Sequence, residues 1–167
     1  VPEVREADSA EEWVRRFQLV AVSPLAMLNA WYSSLKPWSF PEVTDCVRKA
    51  LRLRQALIPT LYTAFYRYRT EGIPPMRSLH QDYALHDAGS LLGDEAEEGV
   101  FYPVRNLRAV DDQFLIGDCL MAAPMFPDRS SRPVILPEGK WYDFYDGHCV
   151  GGRTCLTVEA PLDRIPL

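Results

Sequence analysis

No apolar stretch of this 167-residue sequence reaches the roughly 18 residues that a membrane-spanning helix requires. The longest candidate, Phe114 to Phe126, is interrupted by Asp118 and closed by Pro124, so no membrane partner is expected. Positive charge is also scarce: the formal net charge is −5, which argues against nucleic acid, because phosphate binding needs a basic face. Cys46, Cys119, Cys149 and Cys155 show no Cys-x-x-Cys spacing and the histidines no His-x-x-His spacing, so a zinc site is not supported and no cofactor is expected. Four cysteines are too few to define a disulfide scaffold. Cys149 and Cys155 could face each other across a hairpin, although reduced and buried is the commoner state for such residues. The opening residues lack a basic segment followed by an apolar run, so they say nothing about secretion.

What is present is a globular composition, 47% hydrophobic and 25% charged, enough for one ordinary core or for the joined edges of two domains. Ser9 followed by Glu12 is a capping-box pattern, and Trp13, Val14, Phe17, Val20 and Ala21 then recur at helical spacing until Ser23-Pro24 stops the helix. Leu25 to Trp38 has no clear period and reads as a short strand and a loop. Its Asn29, Trp31, Tyr32 and Trp38 suit sugar binding, since an aromatic face packs on the apolar side of a sugar ring while an amide bonds its hydroxyls. The plainer alternative is that these aromatics plug a seam between domains, which is the expectation for Trp38.

Ser39 with Glu42 is a second capping-box pattern, opening a broad apolar stripe from Val43 through Val47, Ala50, Leu57, Leu61 and Phe65. Pro59 inside the stripe predicts a kink or a break. Arg48, Lys49, Arg52, Arg54, Arg67 and Arg69 are expected on the solvated side of that helix, and Gly72 ends it ahead of two prolines. From Met76 onward, short alternating runs separated by turns predict an antiparallel sheet. The expected strands are Met76 to Gln81, Phe114 to Phe126 (two strands), Arg132 to Leu136, Trp141 to Tyr145 and Thr154 to Glu159. The acidic stretch between Asp82 and Asp112 reads as a solvated insertion, without the ligand spacing of a calcium loop.

The chemistry-bearing residues do not assemble into a catalytic set by sequence. Retaining glycoside cleavage needs two carboxyl groups about 5 Å apart. Asp111 and Asp112 are neighbours that would point to opposite faces of a strand. Asp118, Asp143, Asp146 and Asp163 fall at strand ends and turns. His80 and His148 read as polar strand or turn residues, and no serine lies in a nucleophile elbow.

An ordered series of motifs carries a family resemblance. It runs from Trp13-Val-Arg-Arg-Phe-Gln-Leu and Ser23-Pro24-Leu25 to Lys36-Pro37-Trp38-Ser39-Phe40, then Leu57-Ile-Pro-Thr-Leu-Tyr62 and Glu71-Gly-Ile-Pro-Pro-Met-Arg77-Ser. It continues with Asp112-Gln-Phe-Leu-Ile-Gly-Asp118, Leu136-Pro-Glu-Gly-Lys-Trp-Tyr-Asp-Phe-Tyr145 and Ala160-Pro-Leu-Asp-Arg-Ile-Pro166. In this order the series resembles glycoside hydrolase family 31, a family of α-glucosidases and α-xylosidases.

The resemblance implies an α+β chain: residues 1–72 as the helical end of a (β/α)8 catalytic barrel, then residues 73–167 as a proximal antiparallel β-sandwich. It places the family's aspartate nucleophile and acid/base upstream of anything present, so no catalytic residue is assigned and the isolated chain is expected to be inactive. The expected partners are an oligosaccharide or α-glycoside substrate and the N-terminal part of the same enzyme. Where many members carry Arg-x-His, this sequence has Met27 and Asn29, a departure that leaves α-glucosidase specificity open and a transglycosylating reaction possible. Asn29 and Trp31 are the candidate substrate contacts, because barrel sites lie at the C-terminal ends of strands. Val1 in place of Met, and an end at Leu167 just after the last motif, read as those of an excised piece.

Overall fold

The computed structural model describes residues 3–29, 34–83 and 110–167. The chain opens with a βαβ unit: β1 (Glu3–Val4), α1 (Ala10–Ala21) and β2 (Met27–Leu28), the two strands pairing in parallel. The predicted cap forms, with Ser9 Oγ accepting from Glu12 N at 3.1 Å while Glu12 Oε2 accepts from Asp8 N at 2.8 Å. These bonds satisfy two backbone donors ahead of the first turn.

The helix α2 (Thr44–Glu71) packs on α1. Its start differs from expectation: Pro41–Val43 form a 3-10 turn, and Ser39 Oγ accepts from Lys36 N instead of capping a helix. The helix runs unbroken through Pro59 for 28 residues. Packing compensates for the lost N–H, since Leu57 and Leu61 on either side of the proline are buried in the seam described below. At Gly72 the backbone turns left-handed (φ 74°), and its N–H donates to Tyr68 O at 3.1 Å. A side chain there would be strained, which is why glycine ends the helix.

The remainder is antiparallel. Strands β3 (Met76–Ser78), β4 (Phe114–Ile116) and β5 (Leu120–Ala122) form one sheet, with the short helix α3 (Leu79–Tyr83) between β3 and β4. Strand β3 therefore stops before Gln81, and His80 is helical, because buried Leu79 turns the chain into the core. The strands β6 (Ser131–Leu136) and β9 (Thr154–Glu159) pair along their whole length, and β7 (Lys140–Tyr142) pairs with β8 (Cys149–Gly151), a strand that sequence reading missed.

Cys149 lies opposite Tyr142 and Cys155 opposite Ile135, so the two cysteines do not face each other. All four thiols are free; Cys119, Cys149 and Cys155 are exposed, contrary to the expected burial, because they occupy turn and solvent-facing strand positions. Between β8 and β9 the backbone of Gly152 lies against Pro137 and Gly139. A Cβ on Gly152 would stand 1.9 Å from Pro137 O, so only glycine fits.

Three apolar clusters hold the chain. One surrounds Trp13, Val14 and Phe17 with Val43 and Val47, and another joins Leu79, Leu115, Met121, Val134 and Leu136 within the sheets. The third is the seam: Val22, Leu57 and Leu61 meet Phe114, Ile116, Ala122 and Ile165. Each fully buried aliphatic side chain contributes roughly 1.5–3 kcal/mol.

Buried arginines supplement the seam. Arg15 donates to Ala160 O (3.1 Å), Arg164 O (3.3 Å) and Pro161 O (3.4 Å), and Gln18 Nε2 donates to Leu162 O at 2.7 Å. Arg54, expected in solvent, instead donates to Ser23 O and to Pro24 O (3.0 Å), closing the turn from α1 into β2. Burial pushes both guanidinium pKa values down; at Arg15 the Glu11 carboxylate opposes the shift. Lys49 pairs with Asp163, and Arg67 with Glu71 and Asp118.

Candidate active-site mouth

The βαβ unit sorts its side chains by face. In the register Glu3↔Met27 and Val4↔Leu28, Val4 is fully buried against α1. Side chains alternate along a strand, so Glu3, Met27 and the next pair, Arg5 and Asn29, belong to the face turned away from the helix. In a parallel α/β barrel that face is the interior, and Arg5 and Asn29 stand just past the C-terminal ends of the strands.

The backbone of Asn29 is fixed by its N–H, which donates to Val4 O at 2.9 Å. Its side-chain amide bonds the Glu3 carboxylate, which also accepts from Arg5 Nε at 2.7 Å. The Arg5 bond first, and the Asn29 bond second, hold the Glu3 carboxyl below the usual carboxylate range. Glu3 is largely covered, its side chain 16% exposed, whereas Arg5 extends into solvent. The result is a fixed carboxylate, guanidinium and amide at a strand mouth, the kind of polar array that hydrogen-bonds sugar hydroxyls. Sequence reading singled out Asn29 and missed Glu3 and Arg5. Their signal exists only once the register of a two-residue strand is known. Trp31 lies outside the described residues.

The other candidates do different work. Trp38 is 62% exposed and plugs no seam; the neighbouring Pro37 O accepts from Trp13 Nε1 at 3.4 Å. Asp112 pairs with Arg132 (2.6 Å), and Asp143 Oδ1 accepts from Tyr145 N and Asp146 N within the β7–β8 turn. His148 N donates to Asp146 Oδ1 in the same turn. A concavity of about 730 Å³ lies far from the strand mouth, on the sheet side of the chain. Its floor consists of alternate residues of neighbouring strands, Leu115, Met121, Val134, Leu136, Leu156 and Val158, as expected for the core-facing side of a sheet. Among the described residues no cluster could hold a metal ion, and no helix is long and apolar enough to cross a membrane.

A parallel βαβ unit closed by a long outer helix and followed by antiparallel sheets is the end of a (β/α)8 barrel joined to a β-sandwich. Comparison with known proteins gives that architecture its family: the sequence profile of the glycosyl hydrolase family 31 C-terminal domain matches residues 72–167, and that of the family 31 TIM-barrel domain matches residues 5–64. The chain belongs to glycoside hydrolase family 31.

Among its relatives, glucosidase 2 subunit alpha of Schizosaccharomyces pombe is 32% identical over 95% of this chain, and an alpha-xylosidase of Saccharolobus solfataricus is 29% identical over 95%. The chain spans 16% and 20% of the lengths of those two proteins. A family 31 dextranase of Flavobacterium johnsoniae, solved as a mutant complexed with isomaltotriose, superposes with a TM-score of 0.75 at 29% identity, covering 94% of this chain and 18% of the dextranase.

Proposed function

We propose that the chain is the C-terminal portion of a retaining α-glycosidase acting on α-glucosides or related oligosaccharides, with the catalytic aspartate pair on barrel loops upstream. In this reading residues 1–72 complete the barrel, residues 73–167 buttress it as the sandwich, and Asn29 and Trp31 contact substrate. The observation that carries it is the polar cluster around Asn29 on the interior-facing side of two parallel strands, at their C-terminal ends. The chain alone is expected to show no turnover of aryl α-glycosides above a heat-killed control. Clear turnover by the purified chain would place the catalytic carboxylates here and overturn the reading.

A second reading, a noncatalytic module that binds carbohydrate or another protein, is favoured by exposed apolar groups on β2 and α2: Met27 is 47% exposed and Tyr62 76%. Sedimentation across a concentration series separates the two. A monomer with measurable oligosaccharide affinity supports the module, and association through this surface supports a piece of a larger barrel.

A further inference from the structure

We propose that Glu3 is a positioning residue for Asn29, holding its amide by the NH2 group so that the amide carbonyl is presented to substrate as a hydrogen-bond acceptor. The inference rests on the reading of Asn29 as a substrate contact and deepens it, since it states what kind of contact Asn29 makes.

An asparagine amide has two nearly isosteric ends of opposite character, a donor NH2 and an acceptor oxygen, and rotation by half a turn exchanges them. Only its neighbours decide which end a ligand meets. Glu3 decides it, because an ionised carboxylate accepts and cannot donate, so the bond between the two side chains must use the amide N–H.

Both ends of this clamp are fixed independently. The backbone of Asn29 is held by its bond to Val4 O at 2.9 Å, and Glu3 lies on the adjacent strand in register with Met27. Arg5 donates to the same carboxylate from Nε at 2.7 Å, keeping it ionised and preventing it from swinging away. The inference therefore assigns a direction to recognition: the hydroxyl that meets Asn29 donates its proton to the amide oxygen. An analogue in which that hydroxyl is replaced by fluorine, which cannot donate, would bind less well.

The test uses the full 167-residue chain labelled with ¹⁵N and isomaltotriose as the probe sugar. In the wild type the two Asn29 side-chain N–H protons should give separate, slowly exchanging resonances. In E3Q and E3A that separation should shrink while backbone resonances elsewhere hold their positions. Isomaltotriose affinity should fall about tenfold in N29A, the loss of one well-oriented hydrogen bond, and by a similar factor in E3A. The double variant should bind no worse than N29A, because Glu3 acts only through Asn29.

An affinity loss in N29A with none in E3A or E3Q overturns the positioning role and leaves the contact reading standing. A further loss on adding E3A to N29A also overturns it, since Glu3 would then touch the sugar directly. A wild-type chain that binds no isomaltotriose, or an N29A variant that binds as well as wild type, removes the contact reading and the inference with it.

Discussion

The helical region, residues 3–71, and the strand-rich region from Val110 onward treat apolar surface differently. Strand β2 exposes both of its residues, and α2 carries Leu51, Ile58, Tyr62 and Phe65 in solvent alongside its buried seam of Val47, Ala50, Leu57, Leu61 and Ala64. By contrast β9 alternates half-buried and exposed residues along its length, an ordinary solvated face for an antiparallel strand. A parallel strand is normally covered on both faces, whereas an antiparallel sheet can leave one face wet. The difference shows that exposed apolar groups mean different things in the two halves. On β2 and α2 they mark a surface whose cover the described residues do not supply, and on β9 the exposed face needs none.

The comparison can be tested by substitutions of decreasing effect. Trp13, fully buried beneath α1 and bonded to Pro37 O, anchors the helical region. W13A should cost about 3–5 kcal/mol, enough to abolish cooperative unfolding by far-UV circular dichroism. Arg15 joins the two regions through carbonyls 145 to 149 positions away in sequence. R15M should cost about 3 kcal/mol and leave two thermal transitions where the wild type shows one, because buried carbonyls lose their donors at the seam. A single transition in R15M would mean that the apolar seam suffices.

Ser9 acts within the helical region alone. S9A should cost about 1 kcal/mol by denaturant titration without changing how the two regions couple. The Lys49–Asp163 pair is the smallest lever. Lys49 holds the Asp163 carboxyl below the usual carboxylate range, so the pair's contribution is present above the unfolded carboxylate value and is lost as pH falls through the depressed folded one. D163N should flatten that acid limb of stability against pH and leave neutral stability nearly unchanged.

The same contrast explains what sequence could foretell. The cap at Ser9 was legible because every partner lies within four residues, and the stripe of α2 because its period repeats over 28. The Ser39–Glu42 pattern misled because Pro41 opens a 3-10 turn first, and the Ser39 hydroxyl is taken by Lys36 N. Pro59 misled because packing on both sides outweighs one missing bond. Strands β1 and β8 have two and three residues, too short for an alternating pattern to register. Asn29 could be reached from its loop chemistry and from the family motif. Glu3 and Arg5 become its neighbours only after β1 and β2 pair, and no local pattern encodes that pairing.

The grip of Arg15 and Gln18 on residues 160–164 also orders events in time. An N-terminal helix whose side-chain partners are among the last residues to be translated cannot complete its contacts until synthesis is nearly finished. Until then the Arg15 guanidinium must stay hydrated, and the apolar groups of the seam have only half of their cover. The junction between the two regions is thus the last part of the chain to become native. A ribosome pausing late in this sequence would leave exposed the surface that the finished protein buries there.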